Sequence, residues 1–398
     1  MAELMALAEV AEDTRAAADA QAAAVPPRLL FIDNIRWTMI VLVLSMHASD
    51  TYSPFGNWYY RDRGAVSFGS ALAFAAYQTF LQAFFMALLF FIAGYFAAPA
   101  LDRKGRRAFL RDRSIRLGLP TLLYMFAIGP VTQYFLSHSW GRGGFAHQWL
   151  THLRDGEWLS ETGPMWFCAA LLAFSILYAL LKPAAPEIRR GAAEGPGGLA
   201  VIAFIGVMAL ATFLVRIPLP EDRALFNMHP GDFPQYALMF AAGIFAYRGA
   251  WLERVRDGRA VSWSLGPLLL ALPLFALLIV TGGALRGETA AYLGGFNLIS
   301  AGKCLWEALV CVGMSFGLLA LYRRCFDRQN RLARLFSDNS FAVYAFHPPV
   351  LIALALLLHP LAAPPLVKAA VLTALATIAT FSLSAAVIRR IPLLRRIL

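Results

Sequence analysis

Charged side chains are scarce in this sequence. They make up 15% of its 398 residues, and acidic residues are the rarer kind, with 24 Asp and Glu against 35 Lys and Arg. A soluble globular domain carries about 25% charged residues, whereas 59% of this chain is hydrophobic. Because so little polar surface is available to cover the chain in water, a water-soluble fold is excluded.

Cysteine is rare as well, with four residues in the whole chain. All four lie in apolar segments or at a predicted cytoplasmic edge: Cys168, Cys304, Cys311 and Cys325. A disulfide framework requires cysteines in an oxidising compartment outside the membrane. No disulfide is therefore expected.

The first 27 residues lack the basic start and the apolar stretch of a secretory signal. We predict that residues 1–27 form a disordered or frayed cytoplasmic tail. The remainder, 28–398, is predicted to be a single integral-membrane domain, because its loops are too short to bury a hydrophobic core of their own.

Apolar runs of about twenty residues are abundant, and each is long enough to cross the ~30 Å hydrocarbon core of a bilayer. They predict an all-α membrane protein with about ten transmembrane helices in one bundle. The predicted spans are 32–54, 71–98, 117–136, 164–181, 199–216, 235–249, 263–281, 300–321, 338–358 and 365–388.

The basic residues are distributed unevenly between alternate loops. With a cytoplasmic N-terminus, most Lys and Arg residues fall in inside loops, as the positive-inside rule requires. The few on the outer side are Arg61, Arg63, Arg142, Arg154, Arg223 and Arg286. This asymmetry predicts an even number of helices and two cytoplasmic termini. It also explains the net charge of +11 without nucleic-acid binding.

Polar residues inside predicted membrane helices are the first candidates for a functional site. The first span contains Asp33, Arg36 and His47, and an Arg near a helix centre costs about 2.5–3.5 kcal/mol to insert. Arg36 and His47 are eleven residues apart, so they share one face of the helix, separated by roughly 16 Å along its axis. Asp33 precedes Arg36 by one turn and is placed to pair with it. Two structural alternatives stay open, namely an Arg36 that snorkels to the surface and a His47 that is hydrogen-bonded within the core.

The predicted inside loop DRKGRRAFLRDRSIRLGLP carries a second candidate group. Arg113 and Arg116 are three residues apart just before an apolar helix, so their guanidiniums point the same way and match phosphate geometry. The alternative is anchoring of the helix at the cytoplasmic surface. Upstream, Gly94 lies among the aromatic residues of FFIAGYF and allows a close approach of another helix or a ligand.

A third group is found in the last third of the chain. Tyr344 and His347 share a helix face just before Pro348 and Pro349, which predict a kinked stretch lining a cavity. Glu307 is a carboxylate within an apolar span, and we expect an Arg or a His as its partner. All of these residues also suit hydrogen bonding between helices.

The order and spacing of these motifs resemble the acyltransferase-3 family of bacterial membrane acyltransferases. The resemblance extends from about residue 29 to 388, and the opening IDNIRW and the HPP sequence are most similar to the glucan succinyltransferase branch. The motifs are Arg36-x10-His47, FFIAGYF, Arg113-x-x-Arg116-Leu-x-x-Pro, Gly163-Pro-Met-Trp166-Phe, PQYALMFAAGIFAYRGAWL and SFAVYAFHPP.

The resemblance implies that His47 takes part in acyl transfer, with Arg36 required beside it, and that Arg113 and Arg116 hold the donor. It also implies a cytoplasmic acyl-CoA as co-substrate, a carbohydrate or glycolipid hydroxyl as acceptor, and a bacterial inner membrane as location. No permanently bound cofactor or metal is expected. The acyl group, whether acetyl, succinyl or another, is left open.

A mechanism follows as a hypothesis. An imidazole such as that of His47 is suited to deprotonate a hydroxyl at neutral pH. The hydroxyl would then attack the thioester. The alternative is an intermediate in which the acyl group is bound to the histidine. Trp166, Tyr344 or His347 would stabilise the oxyanion, and Glu307 is a further candidate for substrate support. A polytopic transporter or flippase for a glycan or a lipid-linked substrate is the competing interpretation.

Overall fold

The computed structural model is a helical bundle and describes residues 28–55, 58–62, 64–136, 144–156, 162–182, 195–225, 227–254, 257–392 and 394. No β-strand is formed by these residues, apart from one isolated bridge between Leu225 and Met228. The predicted tail at 1–27 lies outside the described residues. The α-helices are α1 Leu30–Tyr52, α2 Phe68–Gln82, α3 Phe85–Arg113, α4 Leu119–Leu123, α5 Gly129–Leu136, α6 Gly144–Arg154, α7 Trp166–Leu181, α8 Gly198–Arg216, α9 Phe233–Arg248, α10 Trp251–Arg254, α11 Asp257–Thr281, α12 Ala290–Leu293, α13 Leu298–Cys325, α14 Arg331–Leu358 and α15 Pro365–Ala386.

Among the described residues, eight helical segments are long and apolar enough to cross a membrane. The all-α membrane class predicted from the sequence is therefore confirmed. Two differences separate these eight from the ten predicted spans. The second and third predicted spans both fall within Phe68–Tyr134, which forms one of the eight segments although it is interrupted at Phe84 and at Gly105. The span predicted at 235–249 corresponds to α9, whose 16 residues are fewer than a membrane crossing usually needs.

Burial separates central helices from peripheral ones. In the segment that contains α2 and α3, 78% of the most apolar stretch is buried, against 22% in α11. On α11 the side chains of Leu269, Leu270 and Leu272 are exposed. Contiguous exposed leucines are unfavourable in water and suit a lipid-facing surface. Helix α3 thus lies at the centre of the bundle, and α11 lies at its edge.

The predicted span 71–98 is broken by a turn at Ala83 and Phe84, which the sequence did not indicate. Phe84 leaves the helical conformation, with φ −138°, and no proline or glycine lies at this point. The carbonyl oxygen of Ala83 accepts a hydrogen bond of 2.5 Å from the side-chain amide of Gln235. A side chain from a neighbouring helix therefore stabilises the break, because it supplies the partner that a freed carbonyl needs inside a membrane.

The basic segment predicted as an inside loop is helical on both sides of a break at Gly105. The segment named α3 consists of two helices that meet at this residue, whose φ of +71° and ψ of 165° are non-helical and are tolerated by glycine without strain. Beyond α3 the helix continues through two π-helical turns, Ser114–Gly118 and Tyr124–Ile128. In the second turn the carbonyl oxygen of Phe126 accepts a 2.8 Å hydrogen bond from the indole of Trp149. The π-turns thus keep the segment helical while shifting its hydrogen-bond pattern.

Two glycines allow α3 and α9 to pack with their backbones in contact. A Cβ atom at Gly94 of α3 would overlap the carbonyl oxygen of Phe240 in α9, and a Cβ atom at Gly243 of α9 would overlap that of Phe91 in α3. The contact is reciprocal, and only residues without a side chain permit it. The close helix approach predicted at Gly94 is therefore confirmed.

A buried ionic cluster joins α8, α9 and α13. The guanidinium of Arg216, which is 1% exposed, lies 2.6 Å from a carboxylate oxygen of Asp232 and 2.8 Å from one of Glu307. Lys303 lies 3.6 Å from Glu307 and also pairs with Glu221. The expectation that Glu307 has an arginine or histidine partner is confirmed, and the partner is Arg216.

The loop that follows α8 belongs to this cluster through Glu221. Burial by itself raises the pKa of the Glu221 carboxyl, but the positive charges of Lys303 and Arg216 outweigh burial and lower that pKa below its usual range. Glu221 therefore stays ionised. The cluster as a whole holds two cations and three acidic side chains within one buried region.

Loss of the central cation should destabilise the fold. Arg216→Met retains side-chain length but leaves the carboxylates of Asp232 and Glu307 without their main partner. Breaking a buried pair in this way costs about 3–5 kcal/mol. The free energy of unfolding in mixed micelles should fall by that amount. Arg286 and Glu288 form an exposed ion pair, so Arg286→Ala is the control and should leave unfolding unchanged. Equal stability of the two variants would contradict the proposed role of Arg216.

Alanine substitution should destabilise the protein at Gly94 and Gly243, but not at Gly206, a helical glycine outside the contact. Gly94→Ala or Gly243→Ala forces α3 and α9 apart, and overpacking of this kind costs about 1–3 kcal/mol. Gly206 lies in α8, where an added methyl group would meet none of the described side chains within 4 Å. Gly206→Ala should therefore be neutral or stabilising, since alanine favours the helix. Thermal unfolding of the purified variants measures the difference. A Gly94→Ala protein as stable as Gly206→Ala would show that the backbones are not in contact.

Candidate active site

His47 lies in the second half of α1 with its ring oriented by a carboxylate. Its Nδ1 atom is 3.3 Å from Oδ2 of Asp50, one turn further along the helix. The other oxygen of Asp50 accepts a 2.8 Å hydrogen bond from the amide of Gln78 in α2, and the same amide donates to the hydroxyl of Ser53 at 3.1 Å. A carboxylate only accepts hydrogen bonds, so this contact places the proton on Nδ1 of His47, and in the neutral ring Nε2 keeps its lone pair.

Two further rings lie against His47. The indole of Trp58 is stacked on it at 3.7 Å between ring centroids, and His347 is nearly parallel to it at 5.3 Å. The centroids of Trp58 and His347 are 6.0 Å apart. If the His47 ring lay between the other two rings, the distance between the Trp58 and His347 centroids would be much longer than this. Trp58 therefore covers one face of the His47 ring, and His347 lies to the side of the ring.

His347 and Tyr344, both on α14, are fixed by backbone carbonyl groups. The His347 ring is fully buried, and its Nδ1 atom lies 2.7 Å from the carbonyl oxygen of Tyr344. The hydroxyl of Tyr344 in turn donates to the carbonyl oxygen of Pro164. Since a carbonyl only accepts, Nδ1 of His347 and the hydroxyl of Tyr344 both use their hydrogens within the protein. Helix α14 continues without interruption through Pro348 and Pro349.

The segment that carries Trp58 is anchored through Asp62 and Tyr59. The backbone N–H of Asp62 donates to the carbonyl oxygen of Thr51 at 2.8 Å, and the Asp62 carboxylate lies 2.6 Å from the ammonium of Lys368 in α15. The side chains of Asp62 and Lys368 are 8% and 9% exposed. Next to Trp58, the hydroxyl of Tyr59 accepts a 3.0 Å hydrogen bond from that of Tyr124. These contacts hold Trp58 over the His47 ring.

The predicted arginines form a second group, near the start of α1. Arg36 is half-exposed and lies 3.6 Å from Asp33, as the one-turn spacing predicted. Arg116 is exposed, and its Nε atom lies 3.0 Å from Asp112. The charge of Arg113 interacts with those of Arg36 and Arg116. The structure thus brings together three arginines that the sequence placed in two separate motifs.

Arg113 is the least satisfied of the three. Its guanidinium lies over the ring of Phe109, 5.2 Å from the ring centroid. Its buried Nε atom has no hydrogen-bond partner among the described residues. A buried donor without a partner is unfavourable, and a ligand oxygen would relieve it.

Trp166 and Glu307 make their contacts with other parts of the bundle. The ring of Trp166 packs 5.7 Å from that of Tyr236, and Glu307 belongs to the ionic cluster around Arg216. An indirect connection nevertheless exists through α2. Gln82 donates to Asp232 of the cluster at 3.1 Å, and Gln78, one turn earlier, donates to the Asp50 carboxylate. One helix therefore fixes both the cluster and the orientation of His47.

Several residues of this site were not among the sequence predictions. Asp50 is three residues after His47, a spacing that places both on one helix face, so its presence was readable from the sequence. Gln78 is a polar residue in an apolar span, which also marks it. Trp58 lies in a connecting segment, and no spacing rule relates it to His47.

Together these features define a polytopic helical membrane protein with a carboxylate-oriented histidine and a separate group of arginines toward the other end of the same helix. Residues 29–389 match a family model described as an acyltransferase domain, and the chain belongs to this acyltransferase-3 family. It is accordingly an O-acyltransferase that acts within a membrane, which favours the enzyme over a transporter. No curated protein and no solved structure matches the chain.

Proposed function

We propose that this protein transfers an acyl group from a cytoplasmic acyl-CoA to a hydroxyl, with His47 as the general base. The observation that carries the proposal is the His47–Asp50 contact, which leaves Nε2 of His47 as the basic atom. The side chain of His47 is 22% exposed, so a substrate is able to reach it. An imidazole fixed in one tautomer by a carboxylate is a common arrangement for activation of a hydroxyl.

The reaction proceeds by direct attack. Nε2 of His47 removes the hydroxyl proton while the oxygen bonds to the thioester carbonyl carbon. The tetrahedral intermediate collapses with cleavage of the C–S bond, and the departing thiolate takes the proton back from Nε2. Asp50 stabilises the imidazolium that exists between these steps. Transfer through an acyl-histidine is the alternative course, and it uses the same nitrogen as nucleophile.

The donor is bound by the group of arginines. Arg113 and Arg116 contact the phosphates of CoA, since guanidiniums match phosphate geometry. The unpartnered Nε of Arg113 supports this assignment. Arg36 acts as an electrostatic anchor on the donor side, because about 16 Å of helix separates it from His47. The pantetheine arm reaches from the arginines toward His47.

The acceptor is proposed to be a carbohydrate or a glycolipid, and the acyl group acetyl, succinyl or a similar small group. The glucan succinyltransferase branch is the nearest resemblance. The protein would lie in the inner membrane of a bacterium with both termini cytoplasmic, as its basic loops indicate. Trp166, Tyr344 and Glu307 shape the surroundings of the reaction without direct contact with the reacting atoms.

Purified protein should consume acyl-CoA, and two variants should separate the roles of the two groups. His47→Ala should abolish turnover while donor binding is retained, because the base is lost and the phosphate site is intact. Arg113→Ala should weaken donor binding about tenfold or more, the value of one charged hydrogen bond. Turnover is followed by free-thiol release, and binding by calorimetry, over acetyl-, succinyl- and longer-chain CoA.

The matched control is Arg107→Ala, which removes the same charge from an exposed position of the same helix. Its donor affinity should stay close to that of the wild type. If Arg107→Ala and Arg113→Ala weaken binding equally, general surface charge explains the effect. If the wild type neither binds nor consumes any acyl-CoA in the presence of candidate glycans, the proposed donor is wrong.

Asp50→Asn tests the orientation of His47 separately. An amide at this position no longer fixes the proton on Nδ1 and also removes the negative charge that stabilises the His47 imidazolium, so Nε2 becomes a poorer base. We expect kcat to fall about 100-fold, within the range that a positioned general base supplies, with donor binding unchanged. Asp222→Asn, at an exposed loop position, is the control. An Asp50→Asn enzyme with wild-type kcat would show that the carboxylate does not orient His47.

A further inference from the structure

Two buried ring nitrogens beside His47 have no hydrogen-bond partner among the described residues. They are Nε1 of Trp58 and Nε2 of His347. Both rings are nearly parallel to His47, and their centroids lie 6.0 Å apart. Buried polar atoms are almost always paired in folded proteins. Two unpaired atoms on neighbouring rings next to a candidate base therefore point to a ligand.

The two atoms have opposite hydrogen-bonding character. An indole N–H only donates a hydrogen bond. Nδ1 of His347 lies 2.7 Å from the carbonyl oxygen of Tyr344, which only accepts, so Nδ1 carries the hydrogen. In the neutral ring Nε2 of His347 is then an acceptor. The subsite consequently offers one donor, on Trp58, and one acceptor, on His347.

This pairing selects the chemistry of the ligand. A hydroxyl group both donates and accepts, so it satisfies both atoms at once. A carboxylate only accepts and leaves His347 unpaired, whereas an ammonium group only donates and leaves Trp58 unpaired. Water has the same hydrogen-bonding capacity as a hydroxyl and is the alternative occupant.

The hydroxyl bound here is not the one that reacts. The reacting hydroxyl gives its proton to Nε2 of His47, so it has no hydrogen left for His347. A hydrogen bond from Trp58 to its oxygen would also withdraw the electron density needed for attack. We propose that Trp58 and His347 bind a second hydroxyl of the acceptor, adjacent to the hydroxyl that is acylated. This inference rests on the proposed function and assigns these two residues a role in acceptor specificity.

The consequence is a preference for vicinal diols over single alcohols. A suitable pair of probes is trans-1,2-cyclohexanediol and cyclohexanol, which differ only in the second hydroxyl. With acyl-CoA in excess, the wild type should acylate the diol with a kcat/KM about tenfold or more above that of the alcohol. That factor corresponds to the hydrogen bonds the second hydroxyl makes in a buried site.

Two conservative variants test the assignment. The measured quantity is the ratio of kcat/KM for the diol to kcat/KM for the alcohol, which does not depend on the absolute rates. Trp58→Phe retains a ring on His47 but removes the N–H. His347→Asn retains a side-chain donor for the Tyr344 carbonyl but removes the acceptor at Nε2. Each should lower the diol-to-alcohol ratio about tenfold or more. The double variant should lower it little further, because both residues bind one hydroxyl.

The control is Trp263→Phe, which changes an indole of α11 that packs against Phe316 and should leave the ratio unchanged. A wild-type ratio near one, or a wild type that consumes donor but acylates neither probe, would overturn the proposal and indicate that only water occupies the subsite. An unchanged ratio in both variants would do the same. Failure of the proposed function is distinct, because then no acyl-CoA is bound or consumed.

Discussion

The charge of Arg216 has to be neutralised inside the bundle, and much of the architecture serves that requirement. A buried guanidinium without counter-charges is strongly destabilising, so Asp232 and Glu307 must approach it from two other helices. The Asp232 carboxylate also accepts a hydrogen bond from Gln82 of α2. Gln78, one turn away on α2, orients the carboxylate that faces His47. The register of α2, and with it the geometry of the candidate base, therefore depends on a charge that takes no part in the reaction.

The candidate site follows one structural rule. His47 uses its Nδ1 atom for a contact with Asp50, and His347 uses its Nδ1 atom for a contact with the carbonyl oxygen of Tyr344. Each Nε2 is thereby left with a lone pair. Two side-by-side imidazoles that are fixed in the same tautomer present two acceptors to a substrate. Preorganisation of this kind lowers the reorganisation needed during reaction.

The sequence was informative wherever a single residue differs in polarity or size from the residues around it. A carboxylate in an apolar span predicted the ion pair of Glu307, and a glycine among aromatics predicted the close contact at Gly94. It was uninformative where structure depends on distant partners. The break at Ala83 is stabilised by an amide from another helix, and Trp58 reaches His47 through loop contacts. No local pattern encodes either feature. Asp50 is intermediate, since its spacing from His47 was visible but its orientation depends on α2.

The two π-helical turns, Ser114–Gly118 and Tyr124–Ile128, set the rotation of the helix that follows Arg113. A π-turn is equivalent to one residue inserted into an α-helix, and one residue corresponds to about 100° of rotation around the helix axis. Removal of one residue within Ser114–Gly118 would restore regular helix and rotate everything downstream by that angle relative to Arg113. The π-turn at Ser114–Gly118 thus fixes which face of the downstream helix lies in line with Arg113.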